Sequence, residues 1–315
     1  MNAVRFSVAD LRCEYQRNPI GIDVERPRLA WKMVAANDAD RDLVQGAYRI
    51  QVSETPDFAD GDALVWDSGV VSSDASVQRV YGGPLLAPRA RYFWRVKLWD
   101  SETNESEWSE AAWWETALAA DAWRAQWIGP AVADDASQSN PAPYLRHEFS
   151  LGGEIARARI YATVQGLYEL SVNGVHLNDE LFRPGWTSYH RRIQFQTWDV
   201  TEVLRTGNNA VGAILGDGWY RGSLGWAEGR NVYGRELALR LQLHVEYKDG
   251  SEAVIVSGRE GWKSSTGAIL ASDIYHGETY DARLEPQGWT ETGFDDSGWA
   301  DVRIVDTNVG ELVAQ

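Results

Sequence analysis

Within Gly216-Asp217-Gly218-Trp219-Tyr220-Arg221-Gly222 a carboxylate, an indole, a phenol and a guanidinium stand between glycines, which let a backbone turn sharply and approach a ligand closely. Such a set can recognise a sugar: an aromatic face stacks on the apolar C–H face of a pyranose, while Asp and Arg pair with vicinal hydroxyls. The plainer reading is a glycine-rich hairpin corner whose Trp and Tyr close the end of a β-sandwich, because Trp is usually largely buried. Asp217, Trp219, Tyr220 and Arg221 are the candidate contacts under the first reading. A second run has the same character. Asn173-Gly174, Asn178-Asp179 and Arg183-Pro184-Gly185-Trp186-Thr187-Ser188-Tyr189 combine oxygen donors with aromatics, and Asp or Asn oxygens can hold a hard cation such as calcium. Taken alone, Asn173-Gly174 is a tight turn. Strand alternation can nevertheless bring Asn173, Asn178, Asp179 and Trp186 to the same end of a sandwich as Asp217.

A third cluster runs from Ser272 to Arg283 and holds His276, Glu278 and Asp281. Glu278 and Asp281 offer a carboxylate pair of the kind that hydrolyses glycosidic bonds, although a spacing of three along an irregular segment leaves their separation undetermined. The alternative is a polar connection whose charges satisfy one another or face a neighbouring domain.

These candidates need β-structure to position them. In the first half, Leu29-Ala30-Trp31-Lys32-Met33, Ala47-Tyr48-Arg49-Ile50-Gln51-Val52-Ser53, Leu64-Val65-Trp66-Asp67 and Tyr92-Phe93-Trp94-Arg95-Val96-Lys97-Leu98-Trp99 alternate apolar with polar, the period of a half-buried strand. Turn residues separate them, and the spacing predicts a small antiparallel sandwich with Trp31 in its core and Trp94 packing from the facing sheet. Glu107-Trp108-Ser109-Glu110-Ala111-Ala112-Trp113 resembles the last-strand motif of fibronectin type III domains. After a weakly patterned stretch around residue 120, strands resume at 144–149, 156–163, 166–174, 192–198, 209–216 and 238–247, with Asp249-Gly250 as a hairpin turn. Helical periodicity is nearly absent apart from a turn at Val200-Thr201-Glu202-Val203-Leu204. The fold class expected is all-β, two consecutive antiparallel sandwiches.

Composition narrows the partners. A net charge of −16 with dispersed acidic residues fits neither a nucleic-acid backbone nor an anionic membrane surface. Cys13 is the single cysteine, so no intrachain disulfide forms, which suits a reducing, cytoplasmic setting. The first ten residues carry no apolar h-region, and no later run reaches membrane-spanning length. The 16 tryptophans spread over both halves suit aromatic-rich sandwiches and carbohydrate contact.

Taken together, Trp123-Arg124-Ala125-Gln126-Trp127-Ile128-Gly129, Tyr168-Glu169-Leu170-Ser171-Val172-Asn173-Gly174, Arg183-Pro184-Gly185-Trp186-Thr187, the 216–222 stretch and Tyr275-His276-Gly277-Glu278-Thr279-Tyr280-Asp281-Ala282-Arg283 resemble the N-terminal region of bacterial α-L-rhamnosidases. The resemblance covers nearly the whole chain. It implies a fibronectin III or immunoglobulin-like domain over residues 1–120, a jelly roll of galactose-binding-like type over 121–305, and at 306–315 the start of a connection to a downstream domain. By the same resemblance, the second sandwich of some members binds rhamnose with help from calcium, and no other cofactor is implied. The family's chemistry is carried by a helical barrel further along the polypeptide, for which this sequence has no successive amphipathic helices. The expectation is therefore a non-catalytic segment whose partners are a rhamnose-containing glycan and the downstream catalytic domain. It is a piece of a longer polypeptide, the product of a divided gene, or a module standing alone. The alternatives are an autonomous glycosidase using Glu278 and Asp281, and a purely structural spacer.

Overall fold

The computed structural model describes residues 5–37, 39–58, 64–131, 134–177, 180–226, 229–307 and 309–315. Asn178 and Asp179 lie outside the described residues. The chain divides into two compact units, Met1–Ala119 and Ala120–Gln315.

The first unit sets β1 (Phe6–Cys13), β2 (Arg28–Ala35), β3 (Gln45–Ser53), β4 (Leu64–Asp67), β5 (Val71–Ser72), β6 (Arg79–Val80), β7 (Arg91–Asp100) and β8 (Ala112–Glu115) into two sheets. One has the order β1-β2-β6, the other β4-β3-β7-β8 with β5 against β3. Alternation in β7 sends Tyr92, Trp94, Val96 and Leu98 inward and leaves Phe93, Arg95, Lys97 and Trp99 on the outer face. Trp31 is buried on β2, edge-on to Tyr48, and its indole N–H donates to Gln45 Oε1 at 2.9 Å. The Trp-Ser segment ahead of β8 is fastened to β7 by hydroxyls: Ser106 Oγ and Ser109 Oγ each accept a backbone N–H, from Leu98 and Val96, at 3.0 Å. The ring of Trp108 carries the Arg95 guanidinium 4.5 Å from its centroid. Its aromatic face is thus covered by a cation of its own sheet.

The second unit comprises β9 (Ile128–Gly129), β10 (Pro143–Leu151), β11 (Ile155–Gln165), β12 (Leu167–Val172), β13 (Val175–His176), β14 (Arg192–Asp199), β15 (Gly207–Gly216), α1 (Gly218–Arg221), β16 (Ala238–Tyr247), β17 (Glu252–Val256), β18 (Trp262–Thr266), β19 (Ile269–Asp273), β20 (Gly277–Tyr280), β21 (Ala300–Asp301), β22 (Arg303–Ile304) and β23 (Glu311–Ala314). One sheet runs β13-β12-β15-β10-β18-β21; the other runs β22-β9-β16-β11-β14-β23 with β17 on β16. Only β23 is parallel to its neighbour, β14, among the strand pairs of these two sheets. The core lies between the sheets, where Leu145, Leu170, Val172, Val211, Ala213 and Leu215 of one meet Ile160, Ala162, Val164, Leu239, Leu241 and Leu243 of the other. β19 and β20 form a two-stranded sheet of their own. No helix among the described residues is long and apolar enough to cross a membrane.

Candidate functional site

Residues 217–222 follow the last residue of β15 and are not an open loop. Asp217 adopts helical dihedrals, and the amides of Arg221 and Gly222 return to the carbonyls of Asp217 and Gly218, each at 3.1 Å, to close the single turn of α1. Gly218 is required here: its φ is +52°, and a Cβ would lie 2.4 Å from Cγ of Leu167. The turn faces inward with its charges. Asp217 and Arg221 are 3% and 2% exposed and joined at 2.6 Å. Arg221 also reaches Asp134 at 2.7 Å, while Arg230 bridges Asp217 at 2.5 Å and Asp273 at 3.0 Å. Carboxylates and guanidiniums therefore alternate along Asp134, Arg221, Asp217, Arg230 and Asp273, each cation lying between two anions. Burial pushes the Asp273 carboxyl up, but hydrogen bonds from the amides of Ser223 and Tyr275, with further ones from the Ser223 hydroxyl and the His276 amide, outweigh it and hold the group below the usual carboxylate range.

The polar residues expected to grip a sugar are thus occupied. Tyr220 is buried, with its hydroxyl donating to Gln165 Oε1 at 3.1 Å, and desolvation raises its pKa to about 12. Calcium does not fit at Asp217, whose two oxygens already face Arg221 and Arg230. Among the described residues no group of three or more His, Cys, Asp or Glu side chains is arranged to hold a metal.

The aromatics behave differently. Trp186 stacks on Trp219 with centroids 5.8 Å apart and planes 10° from parallel, Phe182 packs on Trp219 at 5.6 Å, and the Trp186 indole N–H donates to the Tyr233 hydroxyl at 3.1 Å. Beneath them, Tyr189, Ile193 and Tyr220 form a small buried cluster. Trp186 remains 55% exposed and Phe182 54%, so the stack presents an aromatic surface to solvent on a fixed base.

Asn173 does not join this group. It sits with φ +50° and Gly174 with φ +80° in the turn between β12 and β13, the conformation that an Asn-Gly hairpin demands. Its amide donates to the Val203 carbonyl and to Asn209 Oδ1 and accepts from the Ala210 amide. Ala210 lies near the start of β15 and Asp217 just past its end, which separates the two by ~20 Å of extended strand. The fold brings Trp186 to the Asp217 turn and leaves Asn173 at the opposite end of β15.

His276, Glu278 and Asp281 belong to the β19–β20 hairpin and its exit. Glu278 pairs with Ser272 on a strand exposed throughout its length. The His276 ring lies 3.4 Å from Asp273. Asp281 accepts from the amide of Arg283 at the start of a 3-10 turn and pairs with its guanidinium at 2.5 Å. The guanidinium holds the Asp281 carboxyl below its ordinary value, the direction opposite to that of a glycosidase general acid. Sequence reasoning passed over Asp134, Arg230 and Phe182. Only the aromatic at Phe182, four residues before Trp186, left a local signal.

With this geometry in place, similarity to known families is specific. Residues 153–315 match the model of the α-L-rhamnosidase N-terminal domain, and residues 8–120 match that of the Rha78A-like N-terminal immunoglobulin domain. The chain belongs to the α-L-rhamnosidase N-terminal domain family. An α-L-rhamnosidase of Formosa agariphila is 36% identical over 295 residues, which are 91% of this chain and 31% of that protein. The crystal structure of Streptomyces avermitilis α-L-rhamnosidase complexed with L-rhamnose superposes with a TM-score of 0.91 at 30% identity, covering 98% of this chain and 46% of that one. The structure of α-L-rhamnosidase from Dictyoglumus thermophilum gives 0.87 at 35% identity, covering 98% of this chain and 35% of that one. The chain therefore spans less than half the length of these α-L-rhamnosidases. The sequence match to the Streptomyces avermitilis enzyme extends over 484 residues against the 315 here, so that enzyme carries an additional segment between the matching stretches.

Proposed function

We propose that this chain is the non-catalytic N-terminal part of an α-L-rhamnosidase. The observation behind this reading is that its two units correspond to two N-terminal family domains, and that the match covers less than half of each longer α-L-rhamnosidase. The environment of the one acidic pair weighed as catalytic agrees, since Asp281 is held ionised by Arg283 and Glu278 stands on an exposed strand. The purified chain is expected to leave an aryl α-L-rhamnoside unhydrolysed. Turnover abolished by Glu278→Gln or Asp281→Asn would establish the autonomous glycosidase instead.

The exposed stack of Trp186 on Trp219 supports a second role, weak contact with rhamnose-bearing glycans. A stacked, half-exposed indole gives a sugar an apolar face, and the Tyr233 hydroxyl at its edge supplies a polar group. Few ligand atoms are buried on such a surface, so affinity falls on the order of micromolar to millimolar. Calorimetric titration with L-rhamnose tests it: Trp186→Ala should weaken binding about tenfold, roughly 1.4 kcal/mol. Calcium should leave the affinity unchanged, because Asp217 is already satisfied. Chemical-shift changes that map to the first unit would remove this reading.

A further inference from the structure

We propose that the β19–β20 hairpin is a docking arm by which the second unit engages the remainder of an α-L-rhamnosidase polypeptide; this rests on the reading of the chain as part of such an enzyme. Among the described residues the hairpin is a sheet of two strands with no third strand beside it, and every residue of β20 is exposed. Isolated hairpins of this kind are marginal unless something holds or covers them. This one is held at its base. Asp273, at the end of β19, is 7% exposed and receives the Ser223 amide at 2.8 Å, the Tyr275 amide at 2.9 Å and the Arg230 guanidinium at 3.0 Å. The Ile269 carbonyl accepts the Ala142 amide at 2.9 Å, and the Ser139 hydroxyl donates to the Ser272 carbonyl and accepts its amide. The ion chain through Asp217 thus fixes the mount of the arm to the turn that follows β15.

The β20 side and the tip of the arm are exposed, while β19 is half-buried. Ile274, Tyr275, Tyr280 and Leu284 are 37%, 58%, 51% and 51% exposed within an eleven-residue span, a density of apolar surface that marks an interaction site. The acidic residues of this segment and the position after it are Glu278, Asp281 and Glu285; Asp281 pairs with Arg283, and Glu285 accepts the Tyr280 hydroxyl at 2.8 Å. The surface complementary to this arm is an apolar groove with a basic or donor-rich rim. The occupant follows from length. In the solved α-L-rhamnosidases matched at TM-scores of 0.91 and 0.87, the matching region is 46% and 35% of the chain, so most of the polypeptide lies outside it and has to pack against something.

Hydrogen exchange read by mass spectrometry on this chain alone, and on the longer α-L-rhamnosidase polypeptide that carries it, tests the assignment. Amides of residues 274–284 should exchange at least tenfold more slowly in the longer polypeptide, while those around Leu85, an exposed residue of the first unit, keep their rate. Tyr275→Ala should leave the melting temperature of this chain unchanged, since the ring is exposed, and lower that of the longer polypeptide. Equal exchange of residues 274–284 in the two forms, or no effect of Tyr275→Ala on the longer one, overturns the proposal. An aryl rhamnoside assay on both forms keeps its failure apart from that of the functional reading: hydrolysis by the longer form only, with an unprotected hairpin, sinks the docking arm alone.

Discussion

Asp217 and Trp186 stand on either side of one short turn and do different work. Asp217 compensates the buried Arg221 guanidinium and the half-buried one of Arg230, so Asp217→Ala leaves each of them one partner short. A loss of roughly 1.5–3 kcal/mol in the urea denaturation of the second unit is expected, because each guanidinium loses one charged hydrogen-bond partner and keeps the other, Asp134 or Asp273. Trp186 is more than half exposed, and Trp186→Ala should cost under about 1 kcal/mol in the same measurement while weakening contact with rhamnose. An Asp217→Ala variant of undiminished stability would show that the ion chain is not a structural mount. Gly218 gives a third test. At φ +52° against Leu167, Gly218→Ala should destabilise by about 1–3 kcal/mol, whereas Gly225→Ala, at positive φ but in open space, should cost less.

At the scale of the element, the hairpin base carries a pH dependence. The Asp273 carboxyl is depressed by hydrogen bonds that exceed the opposing effect of burial, so what it contributes is present above the ordinary carboxylate value of 3.8 and lost as pH falls through the lowered one. The amides of Ser223 and Tyr275 donate to this carboxylate and report its protonation. Their NMR shifts should titrate together with a midpoint below 3.8, and a midpoint above 3.8 would contradict the network. In the first unit, the element legible from sequence as a fibronectin-like last strand proves to be held by serine hydroxyls to β7, with its Trp108 face occupied by Arg95. The local motif announced the segment. That a cation covers its aromatic face depends on β7 lying beside it.

For the whole molecule, the two units each have a core of their own, one around Trp31, Trp94 and Trp114, the other between the two larger sheets. Residues 1–119 and 120–315 are expected to fold when expressed separately, with melting temperatures that match two transitions in calorimetry of the intact chain. Limited proteolysis should cut close to residue 120 or within 134–141. One indivisible transition would show that the units depend on each other.

Strand alternation and turn residues were enough, by themselves, to determine the all-β class, the strands such as β7 and β16 and the turn at Asn173-Gly174, because period two and left-handed turn conformations are local consequences of backbone geometry. Several ordered motifs along the chain also sufficed to point to the family. What the local signals could not carry was which polar groups remain available. By residue type Asp217 and Arg221 suit either a sugar-binding loop or a structural corner, and their pairing with Asp134 and Arg230, distant or unremarkable in sequence, is visible only in the fold. Likewise, Asn173 and Trp186 are near in sequence yet belong to different surroundings, since β12 and β15 run the length of the sheet between the Asn-Gly turn and Asp217, while residues 182–186 fold back onto Trp219. Burial and pairing across a sandwich are properties of long-range packing, and only the tertiary structure decides them.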